Sequence, residues 1–149
     1  MKVKIESVVD YNRVMAKRTA EKGEVILNLH GSLHSSPSKY SIQIEVASHL
    51  EPLEGENSWK FMNHSCNPNA FIDTLNNKIK ALKPISVGEE ICFNYNTTEY
   101  DIAAPFKCNC GSMVCYGEMK GFKHLSHDRQ KLLLPDSAPH IWLLLDLVK

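Results

Sequence analysis

Three cysteines crowded into a short segment constrain this chain more than any other feature. Cys108, Cys110 and Cys115 form a C-x-C-x4-C cluster. Such tight spacing lets three thiolates converge on one ion, and a structural zinc site closes with four tetrahedral ligands. The alternative is three unrelated reduced thiols. We favour zinc because the spacing is close to that of known zinc ligands.

The fourth ligand has to come from elsewhere, and the candidates are Cys66, Cys92, His124 and His127. Cys92 lies in an apolar strand, where a thiol packs as a small hydrophobic side chain. Cys66 lies in a polar, irregular segment, where a thiol has little reason to pack. We interpret the two histidines as surface residues. Our hypothesis is therefore one zinc ion bound by Cys66, Cys108, Cys110 and Cys115.

Length and charge indicate a soluble domain. The chain has 149 residues, 43% of them hydrophobic, which suits one compact domain with a core. Basic and acidic residues balance at 17 each, so we expect no direct nucleic acid and no membrane partner. The start lacks a secretory signal, and the apolar run at residues 141–145 is too short to cross a bilayer. We expect an intracellular, cytoplasmic protein with reduced thiols.

Short apolar segments, bounded by turn residues, predict a mainly β structure over the first hundred residues. A hairpin is predicted around Asn76 and Asn77, and residues 31–38 and 51–57 are predicted loops. The predicted strands lie around residues 3–9, 14–16, 25–29, 40–46, 71–72, 79–82 and 91–95.

The last quarter of the chain is predicted to be helical. Ser126 is a candidate cap for a first helix, and Pro139 is suited to open a second. The apolar stripe of that second helix indicates core packing or a homodimer contact rather than a membrane anchor. Its members are Ile141, Trp142, Leu144, Leu145 and Val148.

Three segments together resemble one known family. Residues 63–69, N-H-S-C-N-P-N, resemble the N-H-S-C-x-P-N signature of SET-domain proteins. Residues 88–95, G-E-E-I-C-F-N-Y, are similar to that family's G-E-E-L-x-F-D-Y segment, and the cysteine cluster followed by Gly117 resembles its post-SET zinc motif. Residues 22–26 also resemble the turn and strand near the family's start. The order and separations agree with those of the family.

The resemblance implies a SET-domain-like (β-clip) fold of small curved sheets. In it, two segments cross to form a knot-like active site that transfers a methyl group from S-adenosylmethionine to a protein lysine amine. It also implies that Cys66 completes the zinc site. The implied organisation is a SET-like domain at 1–100, a zinc-binding segment at 101–122 and a helical extension at 123–149.

The resemblance also assigns roles to individual residues. Tyr95 is the implied catalytic tyrosine, and Phe93 the implied wall of the lysine channel, where phenylalanine leaves room to add more than one methyl group. The implied cofactor-binding residues are Asn63, His64, Arg13, Met15, Phe106 and Tyr116, of which the last two would pack on the adenine.

The chain departs from the family pattern in several places. Residues 11–13, Tyr-Asn-Arg, replace a G-x-G whose backbone touches the cofactor, and Arg13 is expected to contact the cofactor's carboxylate instead. Leu29 replaces a channel tyrosine, and Asn94 replaces an aspartate. The alternatives to a lysine methyltransferase are a catalytically lapsed SET-like binding module and a zinc-stabilised interaction domain.

Overall fold

The fold is described from a computed structural model covering residues 2–55 and 58–147. It contains twelve short strands, two α-helices and four 3-10 turns within these ranges. The strands are β1 (Val3–Ser7), β2 (Asn12–Ala16), β3 (Val25–Asn28), β4 (Gly31–His34), β5 (Ile42–Glu45), β6 (Ser48–Pro52), β7 (Asn63–His64), β8 (Ala70–Asp73), β9 (Lys78–Ala81), β10 (Cys92–Phe93), β11 (Phe106–Lys107) and β12 (Glu118–Met119). The helices are α1 (His127–Leu133) and α2 (Pro139–Leu147), and the 3-10 turns are Ser58–Phe61, Tyr95–Thr97, Phe122–His124 and Leu134–Asp136.

The strands form five small sheets rather than one large one. Three are two-stranded (β1-β2, β10-β7 and β11-β12), and two are three-stranded (β3-β9-β8 and β4-β6-β5). Only the β10-β7 pair is parallel among these described ladders. This confirms the predicted mainly β architecture of small sheets.

The main core lies where these sheets face each other. It is built from fully buried aliphatic side chains such as Val14, Ile79 and Ile91. A second, smaller core, of Phe122, Leu133 and Ile141, packs the two helices against the 3-10 turn at Phe122–His124. Since each sheet is too small to bury its own apolar face alone, the packing between sheets supplies the stability.

Several local predictions are confirmed. β8 and β9 form the hairpin around Asn76 and Asn77, and Asn77 takes the left-handed conformation that such turns favour, with φ of 50°. The Ser126 side chain caps α1 by accepting a hydrogen bond from the Arg129 N–H, and α2 begins at Pro139.

The predicted loops at residues 31–38 and 51–57 were partly wrong. Gly31 opens β4, which pairs with β6, and β6 continues to Pro52. A Cβ atom on Gly31 would lie 2.3 Å from the Glu51 carbonyl oxygen, so this glycine permits a close strand approach instead of a loop. Glu56 and Asn57 of the second predicted loop lie outside the described residues.

Two further predictions need correction. The strand predicted at residues 91–95 ends at Phe93, because the Asn94 side chain accepts a hydrogen bond from the Asn96 N–H and caps a 3-10 turn that begins at Tyr95. In α2, Ile141 is buried but Trp142 is 47% exposed, and His140 is buried in its place. The His140 ring hydrogen-bonds the Thr98 carbonyl at 2.7 Å, which sets the face that α2 buries. Val148 lies outside the described residues.

Within the part of the chain that the structure describes, no helix is long and apolar enough to span a bilayer.

Candidate active site and metal centre

Two segments that lie far apart in the sequence meet in the parallel pair of β7 and β10. Asn63 is level with Cys92, and His64 with Phe93. The Ser65 N–H extends the pairing by donating to the Phe93 carbonyl at 3.0 Å. This crossing places the two sequence motifs side by side.

The Asn69 side chain fastens the crossing. Its Nδ2 donates to the Glu90 carbonyl at 2.8 Å, and its Oδ1 accepts from the Cys92 N–H at 3.0 Å. One amide thus replaces a missing strand partner on both sides of Ile91, which explains why the motif ends in asparagine.

The Tyr95 phenol is held in a fixed position. Its hydroxyl donates to the Met62 carbonyl at 2.6 Å, and its ring contacts Phe93 with a centroid distance of 4.8 Å. Burial, followed by the nearby Cys92, Glu99 and Glu90 groups, raises the pKa of Tyr95 far above its ordinary value. The phenol therefore stays protonated, and its hydrogen points to Met62.

His64 links the phenol segment to the cysteines. Its Nδ1 accepts from the Tyr95 N–H at 3.1 Å, so in the neutral ring the proton sits on Nε2, which lies 3.1 Å from the Cys66 sulfur. Burial lowers the pKa of His64 to about 4. The neutral His64 ring can therefore donate a hydrogen bond to the Cys66 sulfur. Such a bond orients a ligand thiolate at a metal centre.

The Asn63 amide is held by two acceptors. Its Nδ2 donates to the Asn12 carbonyl at 3.0 Å and to Glu90 Oε1 at 2.7 Å. Because both donor directions are used, the Asn63 Oδ1 is left as an acceptor that receives no hydrogen bond from the described residues.

These groups line a cavity of about 920 Å³. This volume falls in the upper part of the range usual for small-molecule sites. Asn63, His64, Phe93, Tyr95 and Phe106 all lie in its wall. The complete wall comprises residues 10–12, 38–42, 59–65 and 102–110, together with Glu90, Cys92, Phe93, Tyr95 and Glu99.

Four cysteines converge beside this cavity, and two of them, Cys108 and Cys110, belong to its wall. The sulfur atoms of Cys66, Cys108, Cys110 and Cys115 all lie within 4.8 Å of one another. Four thiolates in a tetrahedron around zinc, at about 2.3 Å each, would be about 3.8 Å apart. The Cys66 and Cys108 sulfurs are 3.8 Å apart. The donor set and its spacing thus fit a closed zinc site.

Backbone N–H groups and burial both act on these cysteine thiols, the first by hydrogen bonding to sulfur and the second by shifting the thiol pKa. The Tyr116 N–H donates to the Cys66 sulfur at 3.3 Å, and the Gly117 N–H to the Cys115 sulfur at 3.4 Å. Burial raises the pKa of Cys66, and it raises that of Cys108 to about 11. Both thiols therefore need a cation to become thiolates at neutral pH.

The other ligand candidates lie outside this group in the described structure. Cys92 is half-buried in the cavity wall instead of the core, and burial followed by the nearby Glu90 raises its pKa to about 12. His124 Nε2 pairs with Asp101 at 2.8 Å, and His127 opens α1.

Comparison with known proteins identifies the family to which this architecture belongs. The family model described as "SET domain" matches residues 6–96, which is more than half of the chain. This chain belongs to the SET-domain family.

Curated proteins also match parts of the chain. Methyltransferase flvH of Aspergillus flavus is 41% identical over 63 residues, covering 41% of this chain and 35% of that protein. A histone-lysine N-methyltransferase of Candida albicans, named as H3 lysine-36 specific, is 39% identical over 88 residues, covering 55% of this chain and 10% of that protein. The chain thus spans between a tenth and about a third of these relatives' lengths.

Solved structures support the fold. A crystal structure of KRYPTONITE in complex with mCHG DNA and SAH is similar with a TM-score of 0.64 at 19% identity. The match covers 79% of this chain and 29% of that one. At this identity the likeness concerns the SET fold alone.

Three residues that the resemblance assigned to the cofactor do not line the cavity. Arg13 turns to the neighbouring strand, where its Nε donates to the Glu6 carboxylate at 2.6 Å, and Met15 is buried on the same side of β2. The neighbouring Asn12 reaches the site through its backbone carbonyl, which accepts the bond from Asn63, while its side chain pairs with Ser7. Tyr116 lies beside the cysteines, with the Arg129 guanidinium 4.8 Å above its ring.

Phe106 does lie in the cavity wall. It is 37% exposed, and its ring meets Tyr95 edge to face at 5.8 Å. Leu29, at the position of a channel tyrosine in the family, is buried in the main core and does not line the cavity.

Sequence reasoning missed several wall residues, chiefly Asn12, Glu90 and Glu99. Glu90 lies inside a quoted motif, and its partner Asn63 was named, so their pairing could have been suspected. Glu99 had no comparable signal, since in the sequence it is a single acidic residue in an irregular segment.

Proposed function

We propose that this SET-domain chain transfers a methyl group from S-adenosylmethionine to a lysine amine of a protein. The observation that carries the proposal is the parallel crossing of β7 and β10. It brings Asn63 and Tyr95 into the wall of one cavity, and this wall also includes Cys108 and Cys110 of the four-cysteine group.

The cofactor end of the cavity would be formed by Asn63, His64 and Phe106. The unpaired Asn63 Oδ1 suits an ammonium group such as that of the methionine moiety, and the half-exposed Phe106 ring offers a stacking surface for a purine. When bound, S-adenosylmethionine supplies an electrophilic methyl group on a sulfonium. The cavity volume and these donors and acceptors fit such a molecule.

The amine end would be formed by Phe93 and Tyr95. A free lysine amine has a pKa near 10.4 and must lose a proton before it can act as a nucleophile. An apolar aromatic wall disfavours the ammonium form. Because the Tyr95 hydrogen is committed to Met62, the phenol oxygen can accept a hydrogen bond from the amine and aim its lone pair. Such alignment lowers a barrier by roughly 7–11 kcal/mol.

We further propose that the four cysteines hold one structural zinc ion. The ion would fasten residues 102–110, which form one wall of the cavity, to the motif around Cys66. With four thiolates it would have no open position for catalysis. Its function would be to keep the site assembled.

Lysine as the target is supported by the relatives named as histone-lysine N-methyltransferases, H3 lysine-36 specific. Histone H3 is accordingly the first substrate to test.

The test is transfer of a radiolabelled methyl group from S-adenosylmethionine to recombinant histone H3 and to proteins of a cell lysate. We expect labelling by the wild type and by Tyr100→Phe, a tyrosine outside the cavity wall, but not by Tyr95→Phe. Calorimetry with the cofactor runs in parallel. Cofactor binding without any transfer would indicate a lapsed binding module, and absence of cofactor binding would leave only an interaction domain.

A further inference from the structure

A buried carboxylate in the cavity wall has no role in the function proposed above. Glu99 is only 8% exposed, yet it is one of the residues that line the cavity. It lies one turn after Tyr95, because its N–H donates to the Tyr95 carbonyl at 2.8 Å. The same turn thus supplies both the phenol and a carboxylate.

The carboxylate is held rigidly by one of its two oxygens. Glu99 Oε1 accepts from the Gln43 N–H at 2.7 Å and from Thr98 Oγ1 at 3.1 Å. The backbone is fixed as well, since the Phe122 N–H donates to the Glu99 carbonyl at 2.9 Å. Oε2 receives no hydrogen bond from the described residues, so one fixed oxygen is left for the cavity.

The charge of this carboxylate also lacks a partner. No lysine or arginine of the described chain pairs with Glu99, and burial raises its pKa to about 7. The titratable groups on the elements around it are Tyr95, His140 on α2, which bonds the Thr98 carbonyl, and His49 beside His140. None of them contributes to the raised value. A buried, unpaired carboxylate in a cavity wall is suited to receive a cation.

The cation that this site has to handle is the target ammonium. Tyr95 is poorly placed to deprotonate it, because its hydroxyl hydrogen is engaged by Met62 and its oxygen is a weak proton acceptor as a neutral phenol. A carboxylate in the wall of the same cavity, one turn away from that phenol, can do so.

We propose that Glu99 Oε2 binds the substrate ammonium and accepts its proton, so that a neutral amine reaches Tyr95. In this step one N–H bond breaks, an O–H bond forms on Oε2, and the electron pair stays on nitrogen. The carboxyl then releases the proton to water after the product has left. The inference rests on the proposed methyl transfer and adds a proton acceptor to it.

The first test is the variant Glu99→Gln, whose amide oxygen can keep the hydrogen bonds from Gln43 and Thr98. With an H3 peptide centred on lysine 36 as probe, we expect kcat/KM to fall at least tenfold and the acid limb of its pH profile to disappear. Gln43→Ala is the control. It removes the 3.0 Å bond from the Tyr100 N–H at the same junction but leaves the carboxylate, so its acid limb should remain. Unchanged rate and profile in Glu99→Gln would overturn the proposal.

The second test does not depend on activity. In protein labelled with 13C-glutamate, the Glu99 carboxyl is assigned by its absence in Glu99→Gln and titrated with pH. We expect n-butylammonium to lower the Glu99 pKa by at least half a pH unit and n-butanol to leave it unchanged. No response to the cation would overturn the proposal. Absence of transfer by the wild type would instead count against the proposed function, and this titration would still decide whether Glu99 binds a cation.

Discussion

The buried Glu99 carboxyl gives the stability of this domain a pH dependence that can be worked out in advance. Burial raises its pKa from 4.5 to about 7. At this group the folded state therefore binds more protons than the unfolded state between these values, so the contribution of Glu99 to stability falls as pH rises through this window. At about 1.4 kcal/mol per pH unit, roughly 2 to 3 kcal/mol is lost between pH 5 and pH 8.

Glu99→Gln should lack this loss. Its amide carries no charge at any pH and can keep the Gln43 and Thr98 hydrogen bonds. Urea unfolding at pH 5 and pH 8, in constant zinc, gives the free energy of unfolding of each protein. Relative to the wild type, we expect Glu99→Gln to gain roughly 2 to 3 kcal/mol on going from pH 5 to pH 8. Groups that titrate in both proteins, such as His64, cancel in this difference.

Glu118→Gln is the matched control, because its carboxylate is largely exposed and pairs with Lys120 at 2.8 Å on the surface. Its difference from the wild type should be nearly the same at both pH values. The reasoning is refuted if Glu99→Gln behaves like this control, since the Glu99 carboxyl would then have an ordinary pKa.

Three further predictions concern the site itself. Tyr95→Phe loses the 2.6 Å bond to Met62, so methyl transfer should fall at least a hundredfold in a radiolabel assay. Chemical unfolding should show that the free energy of unfolding falls by about 1 to 2 kcal/mol. Near-normal transfer would remove the phenol from the mechanism. Phe93→Tyr adds a hydroxyl to the amine end of the cavity, so mass spectrometry of the peptide product should show a shift toward one methyl group; an unchanged product distribution would place Phe93 away from the amine. Elemental analysis of Cys66→Ser should find less than half of the roughly one zinc ion per chain expected for the wild type. Cys92→Ser, whose thiol lies outside the cluster, should keep the full zinc content. A full zinc content in Cys66→Ser would exclude Cys66 as a ligand.

The sequence predicted best those features in which a short motif carries its own geometry. The hairpin at Asn76 and Asn77, the Ser126 cap and the proline at the start of α2 depend on neighbours within a few residues. The convergence of Cys66 with the cluster is long-range. It could be predicted because a thiol in a polar segment has few other uses and because the resemblance supplied the same ligand.

Predictions failed where a distant strand decides the outcome. Gly31 looked like a loop residue, but its missing Cβ lets β4 approach Glu51 closely. Arg13 was expected at the cofactor, but it pairs with Glu6 of the neighbouring strand, and the Asn12 backbone carbonyl is what bonds Asn63. Neither outcome can be derived without knowing which strands pair and in which register.

Glu99 shows why part of the site could not be predicted from local pattern. Its functional interest comes from burial, from the Gln43 backbone of β5 and from the cavity beside it, all of which arise only on folding. Asn69 is similar, since its amide bridges two main-chain groups of a segment more than twenty residues away.

The central claim is that Asn63 and Tyr95 share one cofactor cavity, closed by a metal held on Cys66 and the C-x-C-x4-C cluster. A crystal structure of the protein grown with S-adenosylhomocysteine, with data collected at the zinc absorption edge, tests it directly. We expect the ligand in the cavity with its amino group at Asn63 Oδ1, and one anomalous peak amid the four sulfur atoms. A ligand bound elsewhere, or four thiols without a metal peak, would contradict the account.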